Sequence, residues 1–257
     1  MSESAFHPRP LIFLHIPKAA GTTLEAFICS QYPAARWFRF TGDVENFREF
    51  RGMSAAERGA IDLFTGHVRF GVHAWLDEAA TYVTMLRDPV ERVVSYYYYI
   101  LRSPEHYLHA TLRASGLNLH EFVRTRFCFE IDNDQVRWLN CMPHVEVAPG
   151  RVTRQMLEEA KVNLATRIAC FGLAERFHES IELLRHQLGW TNGSVERRNA
   201  TADRPRLDQV PQATISLIRE TNALDVELYE FAAATFQDRL DAAGLGARDT
   251  VASSAER

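Results

Sequence analysis

A mostly apolar run, Leu11-Ile12-Phe13-Leu14-His15-Ile16, breaks off at Pro17 and is followed by Lys18-Ala19-Ala20-Gly21-Thr22-Thr23, after which a helical pattern begins. No other feature of the chain limits its fold as much. A short unbroken apolar run bounded by a proline and a glycine reads as a buried strand and a tight turn. The helix that follows opens with amides that have no acceptor within the helix, so the turn is suited to an anion such as a phosphate. So early in the chain, it reads as the first strand and first helix of an α/β domain. On this segment alone an ordinary strand-turn-helix with a solvated lysine stays open as the alternative.

The rest of the chain extends that pattern. Strands are expected at 10–16, 63–65, 80–86 and 168–172. Helices are expected at 22–31, from Pro89 to about 101, at 118–126, 133–140, 154–165, 176–188 and 222–241. In the helix after the third strand, Asp88 is placed to cap, Pro89 suits the first helical position and Glu91 stands three residues after the cap. Alternating strands and helices imply a mainly parallel central sheet flanked by helices. Residues 36–60 and 189–211 give no clear pattern. A chain of 257 residues accommodates one such domain with a substantial core, expected over 1–243, and the small polar residues 244–257 read as a disordered tail.

A net charge of −4 gives no general pull towards nucleic acid or anionic membranes, and the apolar run near the start is too short to be a membrane span or a secretory signal. The four cysteines, Cys29, Cys128, Cys141 and Cys170, include no Cys-x-x-Cys pair, so reduced thiols are favoured over a zinc site, with a Cys128–Cys141 bridge left open.

Two further segments carry chemistry. In Arg87-Asp88-Pro89-Val90-Glu91-Arg92-Val93-Val94-Ser95-Tyr96-Tyr97, Arg87 leaves a strand and Ser95 lies about two turns into the next helix. A guanidinium fork and a hydroxyl so placed are able to hold one phosphate from two sides. The competing reading pairs Arg87 with Asp88 or Glu91 and leaves Ser95 on the surface. The third segment is Gly66-His67-Val68-Arg69-Phe70.

The first loop is not a nucleoside-triphosphate P-loop, because Lys18 precedes Gly21 and the leading glycine is missing. Pro17-Lys18-Ala19-Ala20-Gly21-Thr22-Thr23 resembles instead the 5′-phosphosulfate loop of sulfotransferases that use 3′-phosphoadenosine 5′-phosphosulfate (PAPS). Arg-Asp-Pro-x-x-Arg-x-x-Ser-Tyr-Tyr resembles their 3′-phosphate motif. The chain is similar over about 11–241 to the family containing heparan sulfate 2-O-sulfotransferase and uronyl 2-O-sulfotransferase, as a soluble bacterial relative. Further matching parts are Asp132-Asn133-x-Gln135-x-Arg137-x-Leu139, residues 160–188 and Asn222-x-Leu224-Asp225-x-Glu227-Leu228-Tyr229.

The resemblance implies a P-loop-NTPase-like sulfotransferase fold, with PAPS as donor and adenosine 3′,5′-bisphosphate (PAP) as product. It implies His67 as catalytic base, Lys18 at the leaving group, and Pro17, Ala19, Ala20, Gly21, Thr22, Thr23, Arg87 and Ser95 around the donor. Arg198 and Thr201 match the segment that closes over the nucleotide. No metal is implied. His15 and His73 match nothing and read as structural. Arg102, His106 and Arg113 follow the helix that starts at Pro89 and are of a type that could meet an anionic acceptor, but they align with no acceptor-binding residue of the family and are assigned no role.

The animal members carry a membrane anchor, a stalk and a cysteine pattern that this chain does not match. A soluble, reduced, cytoplasmic enzyme is therefore expected, acting on a saccharide or small metabolite hydroxyl, without a nucleic-acid or membrane partner. The alternatives are a tyrosyl or phenolic acceptor, a P-loop-like small-molecule kinase, and a non-catalytic nucleotide-binding module.

Overall fold

The early apolar run forms β1 (Leu11–Leu14), every side chain of it inaccessible to solvent. The computed structural model describes residues 8–140, 147–190 and 204–246. After β1 come α1 (Gly21–Cys29), β2 (Trp37–Phe40), α2 (Val44–Gly52), α3 (Ala55–Gly59), β3 (Leu63–Gly66), β4 (Thr81–Leu86) and α4 (Pro89–Arg102). The second half comprises α5 (His109–Ser115), α6 (Leu119–Arg124), α7 (Asp134–Leu139), α8 (Arg154–Thr166), β5 (Ile168–Leu173), α9 (Phe177–Leu188), α10 (Gln212–Thr221) and α11 (Ala223–Ala242).

The strands pair in parallel in the order β2-β3-β1-β4-β5. β2 was not legible. It is a four-residue edge strand, Trp37-Phe38-Arg39-Phe40, whose Phe38 and Phe40 face the core while Arg39 faces solvent. The short helices α2 and α3 after it are capped by Asp43 and by a Ser54–Glu57 capping box. The short helices α5 and α10 were also not anticipated. At the other end, Gly244 to Gly246 close the last helix: the amides of Leu245 and Gly246 both bond the Leu240 carbonyl, at 2.8 and 3.2 Å. Residues 247–257 of the expected tail lie outside the described residues.

This order fixes where a ligand can bind. From β1 the chain runs outward to β2 and back through β3; from β4 it runs the other way to β5. The direction reverses between β1 and β4, and open parallel sheets bind ligands outside the carboxyl ends of their strands at such a point. Loop 15–20 and Arg87 both leave the sheet there. His67 leaves β3 on the opposite side of β1, and continuing the β1–β3 register brings it level with His15.

Packing holds these ends rigid. One core covers both faces of the sheet, and a second lies beneath α4, α5, α6 and α10, where Tyr96 and Tyr97 are buried. Two motifs singled out in the sequence prove to be reciprocal helix caps. Asn133 Oδ1 accepts the amides of Leu224 and Asp225 at 2.9 and 3.0 Å. The Asp225 carboxylate accepts the amides of Gln135 and Val136 at 3.1 and 2.8 Å. Gln135 then brackets the backbone of Arg87, accepting its amide and donating to its carbonyl, both at 2.9 Å. The C-terminal helix thereby sets the position of Arg87.

Candidate active site

The loop after β1 is strained. Lys18 and Ala20 adopt left-handed backbone angles, φ 64° and 60°, which cost non-glycine residues about 1–3 kcal/mol each. Ala19 is buried and its amide turns back to the Ile16 carbonyl at 3.3 Å, away from a ligand in front of the helix. α1 then opens at Gly21, Thr22 and Thr23, whose amides have no acceptor within the helix. Ala20 at the cap offers no side-chain acceptor and the first turn carries no acid, so the positive end of the helix dipole meets no charge from its own turn. Gly21 is required by proximity: a Cβ there would lie 2.3 Å from Cδ2 of His15.

The second motif meets this loop directly. Arg87 Nη1 donates to the Lys18 carbonyl at 3.1 Å, and Nη2 pairs with Glu91 at 2.9 Å. Glu91 also pairs with Arg204, and Glu175 lies 3.6 Å from Arg87 Nε. Glu91, Ser95, Tyr99 and Arg102 fall at helical spacing along one face of α4. Lys18 Nζ sits 4.0 Å from the Tyr99 ring centroid, and Arg102 lies 5.8 Å from the same ring. Partial burial, with Arg102, Arg87 and Arg204 close by, pushes the Lys18 ammonium down to about 8. That environment disfavours a cation and suits an anion.

Across β1, His67 presents an exposed ring at the end of β3. Gly66 before it has φ 100°, and a Cβ there would lie 2.1 Å from the Phe40 carbonyl, so only glycine permits this turn. His67 Nδ1 lies 3.2 Å from the His15 backbone carbonyl. A carbonyl only accepts, so Nδ1 carries the proton and Nε2 keeps its lone pair. The ring stands 5.1 Å from the His15 ring and 6.1 Å from that of Trp138. Desolvation by the surrounding protein, with His15 the next cause, holds the His67 pKa below the ordinary histidine value.

The two motifs that read as anion sites in the sequence thus meet at one end of the sheet, with His67 beside them. A sequence model of the family described as galactose-3-O-sulfotransferase matches residues 7–256. The chain belongs to that family.

Galactose-3-O-sulfotransferase 3 of Bos taurus is 30% identical over 200 residues, 71% of this chain and 44% of the relative. Heparan-sulfate 6-O-sulfotransferase 1 of Homo sapiens is 29% identical over 185 residues, 62% of this chain and 44% of the relative. The heparin sulfate O-sulfotransferase of Drosophila melanogaster is 27% identical over 191 residues, 68% and 54%. This chain therefore spans about half the length of the curated relatives it matches. Mouse sulfotransferase SULT7A1 complexed with PAP superposes at a TM-score of 0.38 and 12% identity, over 85% of this chain and 64% of that one, too loosely to carry weight.

In this galactose-3-O-sulfotransferase family member, Lys18, Gly21, Thr22, Thr23 and Arg87 gather at one end of the sheet, with Pro17 leading in and Ser95 3% exposed on the α4 face turned towards the loop. Arg87 does pair with Glu91, as the competing reading has it, but Ser95 is not a surface residue. Arg198, Thr201 and Cys141 lie outside the described residues. His73 is structural, its Nδ1 2.9 Å from the Tyr82 hydroxyl.

His15 is tied to α1. Its Nδ1 lies 3.1 Å from Glu25, which also holds Thr65 and Arg39. The signal for Glu25 was present in the sequence: it shares the buried face of α1 with Gly21, Leu24 and Ile28, and a carboxylate within an apolar stripe needs partners. Arg204 and Tyr99 carried no comparable signal, because only the fold brings them to Lys18.

Proposed function

We infer that this chain transfers the sulfuryl group of PAPS to a hydroxyl of a saccharide, with His67 as the base. The hydrogen bond from Arg87 to the Lys18 carbonyl carries the reading, since it joins the two anion motifs into one site. A donor with phosphate groups at both ends of its ribose suits that site. The 5′-phosphosulfate would take the Lys18 loop and the start of α1. The 3′-phosphate would take Arg87 and Ser95, displacing Glu91 from the guanidinium. The saccharide class follows from the relatives, which are named for galactose and heparan sulfate.

In the reaction an acceptor oxygen attacks sulfur in line. Its proton passes to Nε2 of His67, the S–O bond to the 5′-phosphate breaks, and the charge growing on that phosphate meets Lys18 and the helix amides. Phosphoryl transfer works in the same manner, mostly by positioning and electrostatics.

Differential stabilisation tests the donor. PAP at 100 times its Kd should stabilise the protein by about 2.7 kcal/mol, while Mg·ATP should have little effect. The opposite order in a thermal-shift assay would favour a kinase.

The pH profile of kcat/KM should be bell-shaped. His67 must be neutral, and its depressed pKa places the acid limb below about 6.5. Lys18 must be charged, so the basic limb falls at about 8. A bound anionic donor raises the lysine pKa, so the basic limb of kcat should lie higher still. Lys18→Arg should abolish the basic limb; if the limb stays, it belongs to another group.

A further inference from the structure

We propose that Glu25 is a positioning residue for His67, fixing through His15 the tautomer and ring orientation that a proton acceptor needs; the proposal rests on the reading of His67 as the base. Glu25 is only 5% exposed. Its Oε1 accepts from Thr65 Oγ1 at 2.8 Å and pairs with Arg39 at 2.8 Å. Its Oε2 lies 3.1 Å from Nδ1 of His15. These contacts hold its pKa down to about 2, against the opposing effect of burial, so the carboxylate stays charged.

The partners come from the elements that frame the base. Thr65 is on β3, two residues before His67; Arg39 is on β2; His15 directly follows β1; Glu25 is on the helix that opens at the donor loop. The ring of His15 is held on two sides, by Glu25 at Nδ1 and by the backbone of Gly21 against its Cδ2–Nε2 edge. The same residue gives His67 two of its contacts, the carbonyl at Nδ1 and a tilted ring at 5.1 Å between centroids, beside that of Trp138. The amide of His15 is fixed as well, to the Gly66 carbonyl at 3.1 Å. A shift of His15 therefore moves the acceptor that makes Nε2 the free nitrogen of His67. Carboxylates that bond a metal-ligating histidine directly orient it in this way, and losing one costs about 10–100-fold; Glu25 acts on His67 one residue removed, through His15.

The experiment is 15N NMR of histidine-labelled protein at about pH 8, where His67 is neutral, with His67→Ala used to assign its resonances. Wild type should show a single His67 tautomer, protonated at Nδ1. Glu25→Gln should show a mixture with the Nε2-protonated form, while kcat falls about tenfold or more and donor KM stays within about twofold. Thr65→Val removes one hydrogen bond but keeps the charge pair, and should move both readouts less. If Glu25→Gln does not fold, Thr65→Val and Arg39→Gln carry the same measurement. An unchanged tautomer in folded variants would overturn the proposal. Absence of sulfotransfer by wild type would count against the base reading, while the tautomer still decides whether Glu25 positions the ring.

Discussion

His67→Ala should lower kcat by about 10²–10⁴-fold while leaving PAP affinity within about twofold. The size follows from the chemistry. A neutral hydroxyl is a poor nucleophile towards sulfur, and a positioned base removes its proton as the new bond forms. On the proposed reading that work falls to one atom: Nδ1 faces the His15 carbonyl, leaving Nε2 to accept. His67 leaves β3, while Arg87 leaves β4 on the other side of β1, so nucleotide binding should survive loss of the ring. Loss of PAP affinity to the same degree would mean that the variant disturbs the loop rather than the chemistry. Full activity on the true acceptor would remove His67 from the mechanism. His67→Asn keeps a polar group in place but supplies no base, and should be as slow as the alanine variant.

Lys18→Ala should cost about 10²–10³-fold in kcat, or 2.7–4 kcal/mol of transition-state stabilisation, with a smaller effect on donor affinity. The charge on the 5′-phosphate grows only as sulfur departs, so a cation beside it matters more in the transition state than in the ground state. The same substitution should not lower the melting temperature. Partial burial and three neighbouring guanidinium groups depress the Lys18 pKa in the folded state, so folding opposes its charge. That penalty is full below about pH 8 and fades as the pH approaches the ordinary lysine value. Removing the charge removes the penalty, and the variant should melt at the same temperature as wild type or higher at pH 7. A slower yet no less stable enzyme would mark Lys18 as a residue kept for function. A variant that is both slower and less stable would instead point to a structural role.

Much of this site was legible because its residues sit in contiguous motifs where a strand gives way to a helix. The loop at 17–23, Arg87 with Ser95, and His67 each carry their own local signal. Four of the five described strands were readable for a similar reason: β1, β3, β4 and β5 are largely buried, with only Ala169 of β5 exposed among them, and read as mostly apolar runs. β2 escaped because it is four residues long, with Phe38 and Phe40 buried, Trp37 half-buried and the charged Arg39 exposed between the two phenylalanines. His15 escaped because its role depends on Glu25, ten residues on, and on His67, 52 residues on. Arg204 reaches Glu91 across 113 residues. Contacts of that kind exist only once the sheet has formed.

The reciprocal caps between α7 and α11 bear on how far such a protein tolerates being shortened. The loop at 17–23, His67, Arg87 and Ser95 all lie before residue 100. Yet Arg87 is held by Gln135, Gln135 by Asp225, and Glu175 beside Arg87 by the Tyr229 hydroxyl at 2.7 Å. The framework that holds Arg87 therefore extends to α11. A truncation after α10 would keep the loop at 17–23, His67 and Arg87 in the chain while removing Asp225, and with it the support that Gln135 gives to the Arg87 backbone.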